Sequence, residues 1–355
     1  MKIDNKPWFW IPLLNFASGL PYAVIISVSV IMYKNLGITN EDIGVYTSLL
    51  YLPWVIKPLW SPFIELKGTK RKWFLSMQLL ISIAFLLVGF AIPANGFFIM
   101  TLAIFWVAAF ASASNDIASD GFYLLVLPKE QQSFFLGIRS TFYRLSMLAG
   151  NGLIVLFAGY LEHKYGDNTK AWSYTMICVG LLMTFITIYN FIFTPKNEIN
   201  KAESKDTPHQ NFGTIFASFF KKKQIGLILT FILVFRLGES QLLKMLSPFL
   251  LDSKELGGMG LDTESVGIIY GTLGILALTI GGILGGIAIS KHGLTKWMLP
   301  MFLAMHLPIL GFIGLAHFQP QELFHLHVNL YFFEINSPLN LYTCLTVILE
   351  QFGYG

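Results

Sequence analysis

Cysteine is almost missing from this chain, and the two that exist exclude whole classes of fold. Cys178 and Cys344 each sit inside an apolar stretch, without C-x-x-C spacing and without an even extracellular set. Neither a disulfide framework nor a thiolate metal site is expected. Charge is scarce as well: 12% of residues are charged against 54% hydrophobic, too little polar surface to coat a water-soluble globule of this length. A lipid-facing exterior resolves that mismatch. Also absent are H-E-x-x-H, G-x-S-x-G and any glycine loop able to cradle phosphate. No connection gathers Asp, His and Ser at a membrane surface, as an intramembrane transferase would require. The chain is therefore not expected to be an enzyme or to hold a metal or organic cofactor. The net charge is only +4, and nucleic acid is not an expected partner.

What the sequence has in abundance is long apolar runs. A helix of roughly 20 apolar residues crosses the hydrocarbon core of a bilayer. By that measure the spans are 8–33, 43–63, 73–93, 97–127, 134–158, 172–194, 224–249, 263–289, 297–315 and a partial tenth from 338 to Gly355. The first run is too long for a signal-peptide core and has no small-x-small cleavage site, so it reads as the first span. Fifteen lysines and arginines fall in one alternate set of connections: Lys2, Lys6, Lys67, Lys70, Arg71, Lys72, Lys129, Lys196, Lys201, Lys205, Lys221, Lys222, Lys223, Lys291 and Lys296. The other set holds only Lys34, Lys164, Lys170 and Lys254. Basic connections stay on the cytoplasmic side, so a cytoplasmic N-terminus is expected. The charged stretch 195–223 after the sixth span reads as a cytoplasmic linker, its part 212–223 as an amphipathic surface helix. It separates a six-helix half, 1–194, from a second half, 224–355. The connection 317–337 is expected outside, with no evident role.

Two connections resemble each other. After the second span the chain reads Ser61-Pro-Phe-Ile-Glu65-Leu-Lys-Gly68-Thr-Lys70-Arg71-Lys72, and after the eighth it reads Gly286-Ile-Ala-Ile-Ser290-Lys291-His-Gly293-Leu-Thr-Lys296. Each resembles the loop signature of the major facilitator superfamily, G-x-x-x-D-[RK]-x-G-x-[RK]-[RK], in which glycine permits a tight turn and basic residues hold the cytoplasmic face. Each copy departs from it, at Ser61 and Leu66 in the first and at Ser290 and Thr295 in the second. Two copies six spans apart match a fold of two parallel halves. A narrower likeness runs through Ala17-Ser-Gly-Leu-Pro21, Trp54-Val-Ile-Lys57-Pro-Leu-Trp60-Ser-Pro62, Ala113-Ser-Asn115-Asp116-Ile-Ala-Ser-Asp120-Gly121 and Phe142-Tyr143-Arg144-Leu-Ser-Met147-Leu-Ala-Gly150. It continues through Leu237-Gly238-Glu239, Pro248-Phe-Leu-Leu-Asp252 and Glu350-Gln351-Phe-Gly-Tyr-Gly355. In these segments the chain resembles the AmpG-type muropeptide permeases. The resemblance implies an all-α integral membrane protein of the major facilitator fold, and proton-driven import of anhydromuropeptides, the sugar-peptide fragments of cell-wall turnover. Members of the wider family carry acetyl-CoA. It also implies twelve spans, so the second half is expected to be incomplete, through a truncated gene or an incomplete sequence, with a functional ten-helix variant as the alternative. A carrier of another sugar conjugate, or a non-transporting sensor or fragment descended from a carrier, are the remaining alternatives.

Charge inside a membrane is costly, about 2.5–3.5 kcal/mol per residue unless paired or wetted. Nine ionisable residues fall within spans: Lys57, Asp116, Asp120, Arg139, Arg144, Arg236, Glu239, Lys244 and Glu350. At about 1.5 Å of rise per residue, Asp116 and Arg144 fall at one depth and Asp120 and Arg139 at another. The pairs Asp116 with Arg144 and Asp120 with Arg139 are therefore expected. On the seventh span Arg236 and Glu239 are three apart and share a side, and Glu350 lies at similar depth. The family resemblance places spans one, four, seven and ten around a central path, which would bring Asp116, Arg236, Glu239 and Glu350 together. Asp116, Asp120, Glu239 and Glu350 are the proton-coupling candidates, because desolvation and a neighbouring cation pull such a carboxyl's proton affinity in opposite directions. Arg144 and Arg236 are candidates for a cargo carboxylate. Asn115 and Gln351 are polar candidates at useful depth, and Trp106 and Tyr22 aromatic ones for stacking on a sugar. Lys57 is expected to snorkel toward the cytoplasmic interface, with a pairing to Asp116 as the alternative, and Lys244 to snorkel toward the outer interface. Structural and gating roles are expected for Glu65, Gly68, Lys70, Arg71, Gly286, Lys291 and Gly293, with Arg139 and Lys57. Trp8, Trp10, Trp60, Trp73, Trp172 and Trp297 read as an interfacial belt, and His306 as a hydrogen-bonded packing residue. The expected partners are a small glycopeptide or sugar, protons and lipid, with the protein acting as a monomer.

Overall fold

The computed structural model describes residues 6–66, 68–196, 224–320, 324–330 and 333–355. Among the described residues the helical segments group into ten passes. Helix α1 covers 6–35 through the segments Lys6–Ala23, Val24–Val28 and Ser29–Asn35, the middle one π-helical. After α2 (40–66) come α3, Lys70–Ala91, and α4, Phe97–Val126. Helix α5 covers 129–165 with a π-helical turn at Ala149–Ile154, and α6 is Asn168–Phe193. In the second half α7 is Ile225–Leu251, α8 covers 263–292 with a π-helical stretch at Gly267–Gly274, α9 is Leu294–Phe318 and α10 is Leu341–Tyr354.

Among the described residues seven passes are long and apolar enough to cross a bilayer: Pro7–Asn35, Lys70–Ala91, Phe97–Val126, Gly137–Tyr165, Asn168–Phe193, Thr263–Ile289 and Thr295–Phe318. The expected second span, 43–63, is not continuous. It breaks into Asn40–Asp42, Ile43–Thr47, Leu52–Val55, Lys57–Leu59 and Ser61–Leu66. Pro53, Pro58 and Pro62 explain the breaks, since each removes a backbone donor and restricts the residue before it. The expected surface helix at 212–223 lies outside the described residues. The connection after α9 is not featureless: β1, Phe324–Leu330, pairs antiparallel with β2, Phe333–Leu339.

Helix starts follow their caps. The side chains of Thr39, Thr69, Asp167, Asp262 and Asn340 each accept a first-turn backbone N–H, satisfying donors that have no partner within the helix. At Asp167 the Lys170 N–H holds the carboxyl below its usual range.

Large apolar side chains such as Phe90, Ile99, Phe185, Leu299 and Ile313 are exposed, as lipid contact demands. Trp8 joins them. Two tryptophans expected in the interfacial belt do not: Trp10 and Trp172 are fully buried. Trp10 packs edge-on against Phe122, and Trp172 donates its indole N–H to Glu162 Oε1 at 2.7 Å.

The two halves meet most closely along α5 and α8, where small residues let the backbones approach. A β-carbon on Gly159 would sit 2.7 Å from the Glu264 amide nitrogen, and one on Gly271 would collide with the Asn151 carbonyl.

Candidate functional site

A cavity of about 710 Å³ lies between the halves, within the range of small-molecule sites. From the first half it is lined by Tyr22, Ser27 and Val30 of α1, Thr47, Ser48 and Tyr51 of α2, and Met147 and Asn151 of α5. From the second half come Gln241, Lys244 and Ser247 of α7, Tyr270 of α8, and Gln351 and Tyr354 of α10. Tyr22 stands edge-on to Trp54, with ring centroids 5.2 Å apart. Of the described lining side chains, Lys244 alone carries a charge.

Near one end of this cavity the halves are tied together. Val30 and Ser247 line that end, within about two turns of these ties. Lys34 pairs with Asp252, and Asn40 Nδ2 donates to the same carboxylate at 2.7 Å. Asn35 donates to Thr263 across the interface and to Glu162 Oε1 at 2.6 Å within its own half. His163 Nε2 lies 3.5 Å from Asp262 and 3.6 Å from Glu264. All these groups lie at the lysine-poor end of the bundle. The sequence alone does not disclose this latch: Lys34 counts there only toward orientation, and its partner lies in the other half of the chain.

The intramembrane charges are arranged differently from the depth-based expectation. Asp116 does not meet Arg144. Its Oδ2 accepts from Lys57 Nζ at 2.8 Å, because the break in α2 turns Lys57 inward instead of letting it snorkel. Asp116 Oδ1 and the neighbouring Trp54 indole N–H are both buried without meeting a partner in hydrogen-bond geometry. Arg144 crosses to the other half, where Nη1 donates to the Thr279 carbonyl at 3.4 Å. Asp120 does pair with Arg139, whose Nε donates to Asn15 Oδ1 at 3.0 Å and whose guanidinium lies over the Tyr123 ring at 4.2 Å.

Glu350 is buried and accepts from Gln351 Nε2 at 2.7 Å. Gln351 lines the cavity with Glu350 behind it, so neither Asp116 nor Glu350 is a lining residue. The expected convergence of bare midplane charges is replaced by a cavity wall with the carboxylates one layer back. The side chains of Arg236 and Glu239 on α7 lie outside the described part.

Two cargo candidates, Asn115 and Trp106, do not line the cavity. Asn115 is fully buried, accepts from Gln78 Nε2 at 3.1 Å and donates to Ser18 Oγ at 3.1 Å. Asn190 extends this chain by donating to Gln78 Oε1 at 3.0 Å, which joins α1, α3, α4 and α6. Trp106 stacks on Phe110 and packs on the core away from the cavity. Tyr22 and Gln351 line it. Lys244, expected to snorkel, faces into it. His306 bonds through Nδ1 to the Phe302 carbonyl oxygen at 2.9 Å.

The first signature loop is docked. Gly68 takes a positive φ of 73°, Lys70 is buried and donates to the Ile64 carbonyl at 3.0 Å, and its alkyl stem packs on Gly121. Arg71 donates to the Thr194 carbonyl and hydroxyl and to the Phe191 carbonyl, capping the last turn of α6 where carbonyls lack helical partners. In the second copy Gly293 has a φ of 80° while Lys291 is exposed. The Glu65 side chain and the surroundings of Gly286 fall outside the described part.

The Major Facilitator Superfamily model matches residues 13–352. Among curated proteins, the chain is similar to an anhydromuropeptide permease of Escherichia coli strain K12, 30% identical over 294 residues, covering 81% of this chain and 56% of the permease. It thus spans little more than half the length of that relative. It is also similar to a putative transporter, AmpG 4, of Rickettsia conorii, 26% identical over 329 residues, covering 88% of this chain and 74% of the transporter. Among solved structures, the nucleoside transporter NupG superposes with a TM-score of 0.63 at 14% identity, over 99% of this chain and 80% of that one. The inward-open xylose transporter XylE of Escherichia coli superposes with a TM-score of 0.60 at 12% identity, over 97% and 78%. At such identities these two structures speak for the fold alone.

Proposed function

Because this chain belongs to the Major Facilitator Superfamily, we propose that it is a secondary active carrier that imports anhydromuropeptides together with protons, by rocking its two halves about the cavity between them. The single observation that carries this reading is a cavity walled by both halves and latched by cross-half contacts at one end. A carrier must close one end while the other opens, and ties such as Lys34 with Asp252 can be broken and remade. In the orientation suggested by the basic connections, the latched end faces outward. The cargo class rests on the similarity to the permease, and the cavity's tyrosines suit a glycan, whose apolar ring faces stack on aromatic ones.

For proton coupling we propose the Asp116 and Lys57 pair. It ties the broken helix α2 to α4 inside the membrane. Protonation of Asp116 removes the charge that holds Lys57 and weakens the tie. Trp54 connects the pair to the cavity, since its indole lies beside Asp116 and its ring against Tyr22. A change at Asp116 therefore reaches a cavity wall through two contacts. Glu350, through Gln351, is placed to act in the same way from the second half. Glu239 with Arg236, and Asp120 with Arg139, stay in the proposal as further members, the latter nearer the basic end. The carrier is proposed to work as a monomer in the inner membrane.

The test is uptake of labelled anhydromuropeptide into right-side-out or reconstituted vesicles under an imposed proton gradient, using the full-length protein. Accumulation above the external concentration, collapsing with a protonophore, is the expected result. Uptake that ignores the gradient would overturn proton coupling, and no uptake at all would overturn the cargo.

A further inference from the structure

Among the described residues the cavity wall holds one cation and no anion. Lys244 lines it from α7, and no carboxylate among the described residues pairs with it. Other intramembrane cations described have partners in the protein: Lys57 has Asp116, Arg139 has Asp120, and Arg144 has a carbonyl. An ammonium in a low-dielectric wall without a counterion of its own is a site awaiting one. Its surroundings are built for a polar guest. Ser240, Lys244 and Ser247 lie four and three residues apart, on one face of α7, and all three line the cavity. Across the space stand Tyr22 and Tyr51 from the first half and Tyr270 and Tyr354 from the second. They offer ring faces and hydroxyls and contribute no full charge at neutral pH.

We infer that Lys244 is the anion anchor of the cargo site: it binds a carboxylate of the cargo while the four tyrosines hold the cargo's rings. This rests on reading the cavity as the place where cargo binds. It makes Lys244 a specificity-determining residue, one that separates acids from neutral compounds of the same shape. It also gives the second half its own grip on the cargo, so that a guest held by Lys244 on α7 and by Tyr22 on α1 bridges the two moving parts.

The experiment compares acid and neutral forms of one molecule. Anhydromuropeptide with free carboxylates is set against the same compound with its carboxylates converted to amides. N-acetylmuramic acid against N-acetylglucosamine serves as a minimal pair. Binding is read on the purified protein in detergent by calorimetry, and uptake is read separately in vesicles. A charge-assisted hydrogen bond corresponds to roughly 10- to 100-fold in affinity, so wild type is expected to prefer the acid by about that factor. Lys244→Met should lose the preference by weakening the acid alone, and Lys244→Arg should keep part of it. Lys254→Met, which removes an exposed lysine outside the cavity lining, is the control for loss of one positive charge and should leave the preference in place. If Lys244→Met binds the acid as tightly as wild type, or if wild type makes no distinction between the two forms, the anchor is wrong. If the acid binds selectively through Lys244 yet is not transported, the anchor stands and the import reading falls.

Discussion

At the lysine-poor end of the bundle the halves are joined side chain to side chain, Lys34 and Asn40 on Asp252 and His163 near Asp262 and Glu264. At the basic end Arg71, Lys70 and Arg139 bind within the first half instead. Arg71 caps α6, Lys70 folds back on Ile64, and Arg139 meets Asp120. The same kinds of residue thus do two jobs according to whether their partner lies across the interface or within one half. In the proposed rocking motion contacts of the first kind break, whereas those of the second kind travel with their half. The charge pair nearest the cavity, Lys57 with Asp116, is also internal to one half, which suits a trigger that changes the shape of that half.

The largest effect is expected at that trigger. Asp116→Asn should abolish gradient-driven accumulation, lowering it to the equilibrium level, while counterflow exchange in vesicles persists. Leaving Lys57 without its partner would also destabilise the protein by as much as about 3 kcal/mol, so Asp116→Asn with Lys57→Met serves as the control. Recovery of the unfolding midpoint without recovery of accumulation fits a coupling role. Recovery of both would reduce the pair to a packing bridge.

Next comes the seam between α5 and α8. Gly271→Val inserts bulk where the Asn151 carbonyl approaches, and forcing extra volume into such a contact costs about 1–3 kcal/mol. The lysine-poor end should then fail to close, with transport down about tenfold and a thiol reagent reaching a cysteine placed at Ser27 from that side. Protection of Ser27→Cys equal to that in the parent would contradict this.

A smaller effect is expected from Lys34→Ala. Asn40 still holds Asp252, so the latch weakens by about 1 kcal/mol or less. A several-fold rise in labelling at the lysine-poor end, with cargo affinity little changed, is the expected readout. The smallest belongs to the rigid end. Arg71→Gln should lower the unfolding midpoint through the lost cap on α6, at about 1 kcal/mol, and leave labelling at the opposite end unchanged. A large change in that labelling would show that the two ends are not distinct in the way described.

Much of the fold was legible because an apolar run of helical length has one reading in a membrane. The alternating basic connections repeat that count independently. The Asp120 and Arg139 pair also followed from depth. The Asp116 pairing failed because depth ignores rotation about the helix axis, and because Pro53 and Pro58 break α2 on either side of Lys57. The prolines are visible in the sequence, but a hydropathy window does not register them. For Asn115 and Trp106 the sequence specifies the right helix and leaves the face open. Position along α7 alone puts Lys244 at the interface, and only the cavity shows which way it points. The latch could not be read at all, since its partners, such as Lys34 and Asp252, lie in different halves far apart in the chain.

The most direct test of the rocking motion is a pair of distance measurements by spin labels, with Cys178 and Cys344 replaced. One pair, at Gly37 and Leu256, spans the lysine-poor end, and the other, at Thr69 and Thr295, spans the basic end. On adding cargo and changing pH the two distances should move in opposite senses, one lengthening as the other shortens. Distances that change together, or a lysine-poor end that never opens, would contradict alternating access about this cavity.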